Sequence, residues 1–153
     1  MRTHGHSPAV ERAARVLGKA GNNGAVWVGI GAALAILDGS NREAWAICAA
    51  LAPVAIGLNY LVKLIVKRPR PVLEGLPPLG GAPSSLSFPS AHATSSFAVA
   101  TAMTRVEPRG ALAVLLAAAL ALGRPYLGMH YPSDVLVGAV LGVALGLIVP
   151  LSL

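Results

Sequence analysis

Acidic side chains are few in this sequence. There are six Asp and Glu among 153 residues, and only 12% of the chain is charged. Soluble domains carry about 25% charged residues, so too little polar side chain is present to coat a helical bundle in water. Aromatic residues are scarce at 5%, and no ten-residue alternating strands with aromatic girdles occur, which excludes a transmembrane barrel. The single cysteine, Cys48, excludes an intrachain disulfide; inside an apolar run it reads as a packed, inert thiol. Basic residues interleaved with aromatics are also missing, so the net charge of +6 does not point to nucleic acid. The first twenty residues hold no apolar run and read as no cleaved signal peptide. His4 and His6, in that polar tail, read as solvated and not as metal ligands.

What remains is apolar: 55% of the chain, with Ala, Leu, Gly and Val predominating. Small residues of this kind suit closely packed helices in lipid. The expected architecture is all-α, a single integral-membrane helical bundle over residues 1–153. Five apolar segments mark it, at 24–37, 44–62 (continuing helically to about 66), 91–103, 111–122 and 135–149, within a core spanning 24–151. The second is long enough to span; the others need flanking residues or a thinned bilayer. Ahead of them, residues 8–20 set Val10, Ala13, Ala14, Leu17 and Ala20 against Glu11, Arg12, Arg15 and Lys19, the pattern of an amphipathic helix at the membrane interface. The proline-rich stretch 68–89 reads as structured coil. Gly138, Gly142 and Gly146 form a small-residue stripe. It fits another helix of the same chain or a homo-oligomer seam, since the motif does not choose its partner.

If each segment crosses, the polar residues gather on one face: Lys63, Lys67, Arg68 and Arg70, then Ser90 and His92, then Arg124, His130 and Asp134. Snorkelling explains isolated basic residues, and Lys67 and Arg68 are read that way, with Tyr126 and Tyr131 as interfacial aromatics. It does not explain two histidines, a serine and an aspartate converging with them. Fixed cations and N–H donors are what phosphoryl transfer needs. Lys63, Arg70 and Arg124 suit phosphate oxygens, and the Ser90 hydroxyl with the N–H groups at Ala91 and His92 would form a helix-end anion site. His130 is the candidate nucleophile, held by Asp134 four residues on, and His92 the candidate acid and base. Asp134 also has a capping reading, and His92, His130 and Asp134 together a two-His-one-carboxylate metal reading, disfavoured beside three cations. No metal or cofactor is expected. Glu74 and the neighbouring loop read as solvated, with gating as the alternative.

The spacing is specific. "KLIVKRPRP" gives Lys63-x6-Arg70-Pro71, "PSAH" is Pro89 to His92, and "RPYLGMHYPSD" gives Arg124-x5-His130-x3-Asp134. In this order the three motifs resemble the type 2 phosphatidic acid phosphatase family, whose fold logic is shared with vanadate-dependent haloperoxidases. The resemblance implies a metal-independent phosphatase working through a phosphohistidine at His130, on a lipid phosphate in the bilayer of a bacterial cell membrane, with the site on the extracytoplasmic face. The charge balance of the loops alone would put that face in the cytoplasm. The implied substrates are polyprenyl phosphates or diphosphates, phosphatidic acid-like glycerolipids including phosphatidylglycerophosphate, and prenyl-linked sugar phosphates. "LSFPSAHATSS" is similar to actinobacterial family members proposed to act on decaprenylphosphoryl-5-phosphoribose. Two positions depart from the family pattern: Ala91 stands where Gly is common, and Gly123 where Ser is common, so no hydroxyl contact is expected there. The rival readings are vanadate peroxidase chemistry and a lipid-phosphate binding or transport protein without turnover.

Overall fold

A computed structural model describes residues 7–72, 75, 78–81 and 84–151. His4, His6 and Glu74 lie outside them. Among the described residues six α-helices follow in order: α1 Pro8–Ala20, α2 Ala25–Leu37, α3 Arg42–Val66, α4 Ala91–Val106, α5 Ala111–Tyr126 and α6 Pro132–Ile148. Among the described residues no strand forms; one isolated bridge joins Pro69 to Leu86. The five expected apolar segments and the amphipathic one are all helical, with ends shifted by a few residues. The largest shift is in α5, which continues through Arg124 and Pro125 to Tyr126. A proline so near a helix end costs little, because few intrahelical bonds remain to be broken.

At 25 residues, α3 is about 38 Å long at 1.5 Å per residue, more than the roughly 30 Å hydrocarbon core. It alone among the described helices is long and apolar enough to cross by itself; α1 and α2 pass that test together across a 55° bend. Its outer face exposes Leu58, Leu61 and Ile65, and α5 and α6 likewise expose Leu112, Leu115, Leu136, Val140 and Leu147. An apolar surface this extensive is incompatible with a monomer in water; lipid is the solvent that suits it.

The bundle is built around α4. Nine of its sixteen residues are buried, and α3, α5 and α6 all pack against it. The α6 glycine stripe faces this helix. A Cβ on Gly138 would stand 2.7 Å from the Ser90 carbonyl oxygen, and methyls on Gly142 and Gly146 would run into the carbonyls of Thr94 and Ala98. The seam is therefore filled within the chain, and the homo-oligomer reading of Gly138, Gly142 and Gly146 is corrected: α4 leaves no room there for a second copy. Close approach has a further effect. It brings the start of α6 against the start of α4, where the Ser90 N–H donates to the Asp134 carbonyl at 2.9 Å.

Helix α1 docks onto α5. Ala14 and Gly18 are buried, with Gly123 beneath Ala14. Tyr126 ties down the N-terminal end of α1, its hydroxyl accepting from the Ser7 N–H at 3.1 Å and donating to the Ser7 carbonyl at 3.2 Å. The interfacial-aromatic reading of Tyr126 is corrected accordingly, since the ring is buried. A Cβ at Gly123 would stand 3.7 Å from the Ala14 Cβ, an ordinary contact, so the docking of α1 does not by itself require glycine there.

Candidate active site

The ends of α3, α5 and α1 and the starts of α4 and α6 meet around one cavity of about 830 Å3. Lys63, Arg70, Ala91, His92, Arg124 and His130 all line it. Of the sequence-predicted residues, Ser90 and Asp134 stand behind the wall, both fully buried. The described lining includes five basic side chains and no carboxylate, and among the described residues no three His, Cys, Asp or Glu side chains gather as metal ligands.

His130 sits in the turn between α5 and α6, reached through Gly128 at a positive φ of 71°. Its Nε2 lies 3.3 Å from Arg70 Nη1. A guanidinium can only donate, so Nε2 accepts and the ring proton resides on Nδ1. That nitrogen faces Asp134 Oδ2 at 3.6 Å, an ion-pair distance but too long for a hydrogen bond; Nδ1 has no hydrogen-bond partner. The tautomer is the one that leaves a nucleophilic lone pair towards the cations. Burial, then the charges of Arg70, Arg124 and Lys63, hold the His130 pKa well below its ordinary value, so the resting imidazole is neutral. Asp134, which faces the ring, has a counter-charge of its own.

That counter-charge comes from Arg68, which sequence reasoning assigned to the membrane interface. Arg68 Nη1 donates to Asp134 Oδ1 at 3.0 Å and to Ser133 Oγ at 2.9 Å, and its guanidinium lies 4.0 Å above the Tyr131 ring. The Tyr131 N–H donates to Asp134 Oδ2 at 2.9 Å. Asp134 therefore caps α6 and faces His130 at once, so its two readings are compatible. Tyr131 is Arg68's platform rather than a free interfacial aromatic. Arg68→Ala is expected to lower kcat about tenfold, or 1.4 kcal/mol of barrier, with KM little changed, and Arg68→Lys to recover part of it. Equal activity in all three proteins would remove the positioning role.

The three phosphate-directed cations differ in their commitments. Lys63 has three N–H groups, and they point to the carbonyls of Leu86, Ser87 and Pro89 at 3.3, 3.1 and 2.7 Å. In this state it holds the loop leading into α4 and acts on the cavity through its charge. Arg70 donates Nε to the Ser84 carbonyl at 2.9 Å and Nη1 to the Met129 carbonyl at 2.6 Å. Arg124 is 4% exposed, its Nε has no partner, and among the described residues none of its N–H groups makes a hydrogen bond. An unpaired buried charge costs several kcal/mol. Such a group persists where a ligand completes it.

At the start of α4, Ser90 is the N-cap. Its Oγ accepts from the Ala93 N–H at 3.5 Å, so the hydroxyl that the sequence aims at phosphate also caps the helix. The Ala91 and His92 N–H groups begin the helix without intrahelical partners, the usual state of a first turn. His92 Nε2 lies 3.0 Å from the Gly18 carbonyl oxygen and must donate to it. Helix α1 thus fixes the imidazole plane, and Nδ1 is left as the nitrogen that can exchange a proton.

Buried cations with no acid in their cavity among the described residues, beside an oriented neutral imidazole, are the arrangement that phosphoryl transfer in a helical bundle needs. The chain belongs to the PAP2 superfamily, whose family profile matches residues 43–153. It is 40% identical to the decaprenylphosphoryl-5-phosphoribose phosphatase of Mycolicibacterium smegmatis over 131 residues, covering 86% of this chain and 72% of that one. The same identity holds with the Mycobacterium tuberculosis protein of that name over 142 residues, covering 93% and 80%. Among solved structures, Aquifex aeolicus LpxE superposes with a TM-score of 0.72 at 27% identity, over 94% of this chain and 87% of that one. A Bacillus subtilis PAP2-type phosphatidylglycerolphosphate phosphatase shares the fold at a TM-score of 0.70 and 22% identity, over 94% and 76%.

Proposed function

We propose that this chain is a metal-independent phosphatase that removes a terminal phosphate from a polyprenyl-linked lipid through a phosphohistidine at His130. The unpaired Arg124 guanidinium beside an Nε2 lone pair carries the reading. A phosphate monoester entering the cavity replaces His130 as the partner of Arg70 Nη1 and gives Arg124 its missing acceptors. Freed Nε2 attacks phosphorus and the ester P–O bond breaks; the leaving alkoxide takes a proton from His92 Nδ1, which that nitrogen has received from the phosphate monoanion on binding, since the resting ring carries its own proton on Nε2. The new N–P bond makes the ring cationic, which draws Nδ1–H onto Asp134 and closes the 3.6 Å gap. Water then attacks phosphorus with His92 taking its proton, and inorganic phosphate leaves with the His130 imidazole restored.

The relatives' names support the lipid class: decaprenylphosphoryl-5-phosphoribose phosphatases and, over 58% of this chain, the undecaprenyl-diphosphatase BcrC of Bacillus subtilis. We assign the site to the extracytoplasmic face of the bacterial membrane, the family resemblance being the support for this reading. One experiment tests both points. Purified protein in EDTA is expected to release phosphate from prenyl-linked phosphates, and intact spheroplasts to do the same with a water-soluble short-prenyl analogue. Loss of turnover in EDTA that added metal restores would refute the metal-independent mechanism. Release from lysed but not intact spheroplasts would move the site to the cytoplasm.

A further inference from the structure

His92 takes up and returns its proton in a place that opposes positive charge. Lys63, Arg70 and Arg124 line the same cavity, and among the described residues no carboxylate does. His92 is also the second residue of α4, where that helix has its positive dipole end. A histidine that serves as acid and base needs a partner on its other nitrogen, to fix the tautomer and to offset the charge of the protonated ring.

That partner comes from α1. The Gly18 carbonyl that accepts from His92 Nε2 at 3.0 Å belongs to the last turn of α1. Carbonyls there lack intrahelical partners, and the helix C-terminus is the negative dipole end, which favours a protonated histidine. Close approach is possible because one side of α1 carries nothing larger than a methyl group. Ala14, Gly18 and Gly21, spaced i, i+4 and i+7 on that side, are all buried. A Cβ at Gly18 would stand 3.0 Å from Arg124 Nη1, and one at Gly21 would stand 2.8 Å from His92 Cδ2. Gly21 has a φ of −79° and a ψ of −7°, a right-handed conformation open to any residue. What calls for glycine there is the imidazole against it, not the backbone.

We infer that the C-terminal end of α1 is the counter-charge of the acid–base histidine, with Gly18 and Gly21 as the positioning residues that bring it there. The inference rests on the phosphohistidine mechanism proposed above and adds what lets its second histidine work. The two Tyr126–Ser7 hydrogen bonds hold the far end of the same helix, so an element outside the three motifs completes the site.

The test compares two substrates in one detergent: phytanyl phosphate, whose alkoxide must be protonated as it leaves, and p-nitrophenyl phosphate, whose phenolate need not be. In Gly21→Ala the added methyl displaces the ring from the Gly18 carbonyl. Turnover of phytanyl phosphate is expected to fall about 10–100-fold at little-changed KM, part of what general acid–base catalysis contributes. With p-nitrophenyl phosphate a burst of nitrophenolate is expected to persist ahead of slow steady-state release, because only hydrolysis of the phosphohistidine still needs His92. Gly18→Ala is the contrast: its methyl meets Arg124, which holds phosphate in both steps, so burst and steady state fall together. Gly21→Ala that turns over phytanyl phosphate like the unaltered protein, or that loses burst and steady state equally, overturns the positioning role and leaves the phosphatase reading intact. If Gly21→Ala unfolds early, Tyr126→Phe, which frees the far end of α1, decides instead: a weaker form of the same split supports the role, and no split overturns it. Release of phosphate from neither substrate by the unaltered protein overturns the phosphatase reading itself.

Discussion

His130→Ala is expected to lower phosphate release by about 10⁴-fold or more, the scale seen when a covalent nucleophile is removed from an enzyme whose binding groups remain. The reason lies in how few alternatives the cavity offers. No carboxylate lines it among the described residues, Ser90 is buried in a cap, and His92 is tied to Gly18. Water attacking directly would meet cations and no oriented base on the His130 side. Substrate affinity should change little, because Lys63, Arg70 and Arg124 remain. A second variant makes the assignment stricter: His92→Ala should slow hydrolysis of the intermediate, so radiolabelled phosphate accumulates on protein as an acid-labile, alkali-stable phosphoramidate. A His130→Ala protein that unfolds at the usual temperature yet keeps turnover within tenfold of the original would remove the nucleophile assignment, as would labelling that survives in the His130→Ala/His92→Ala protein.

The long-range shape of this site was legible because its motifs sit at helix ends. An apolar run fixes where a helix lies, and "PSAH" or "HYPSD" fixes which end carries the polar groups. Three residues escaped that logic. Arg68 looks like any cation beside a spanning helix; its path to Asp134 depends on Lys67, which ends α3 at a positive φ of 52°. No glycine signals such a turn. Ser90 was read by its hydroxyl alone, and its capping role comes from its place at the start of α4 against α6. Residues 8–20 form the helix expected of them, but their amphipathic pattern hid the docking onto α5. A signal was present: Ala14 and Gly18 repeat, four residues apart, the small-residue spacing read in α6. The buried Asn59 amide, which donates to Thr94 Oγ1 at 2.9 Å and so ties α3 to α4, gave no sign at all, since one amide in a 25-residue helix has no pattern of its own.

Arg124→Met is expected to move activity and stability in opposite directions. Activity should fall about 10²–10³-fold, the cost of losing one preorganised donor to transition-state charge. Stability should rise, because the guanidinium is almost fully buried with no hydrogen-bond partner among the described residues. Replacing an uncompensated charge by an apolar side chain of similar length removes a desolvation penalty. For a chain of this size each kcal/mol corresponds to roughly 2–4 °C in Tm, so a rise of several degrees is measurable. A structural arginine would behave oppositely, its removal lowering both. Inorganic phosphate sharpens the contrast through linkage. It should raise the Tm of the original protein by supplying Arg124's acceptors, and raise that of the variant far less. A variant that unfolds earlier than the original, or gains as much from phosphate, would show that Arg124 supports the fold and that the anion binds elsewhere.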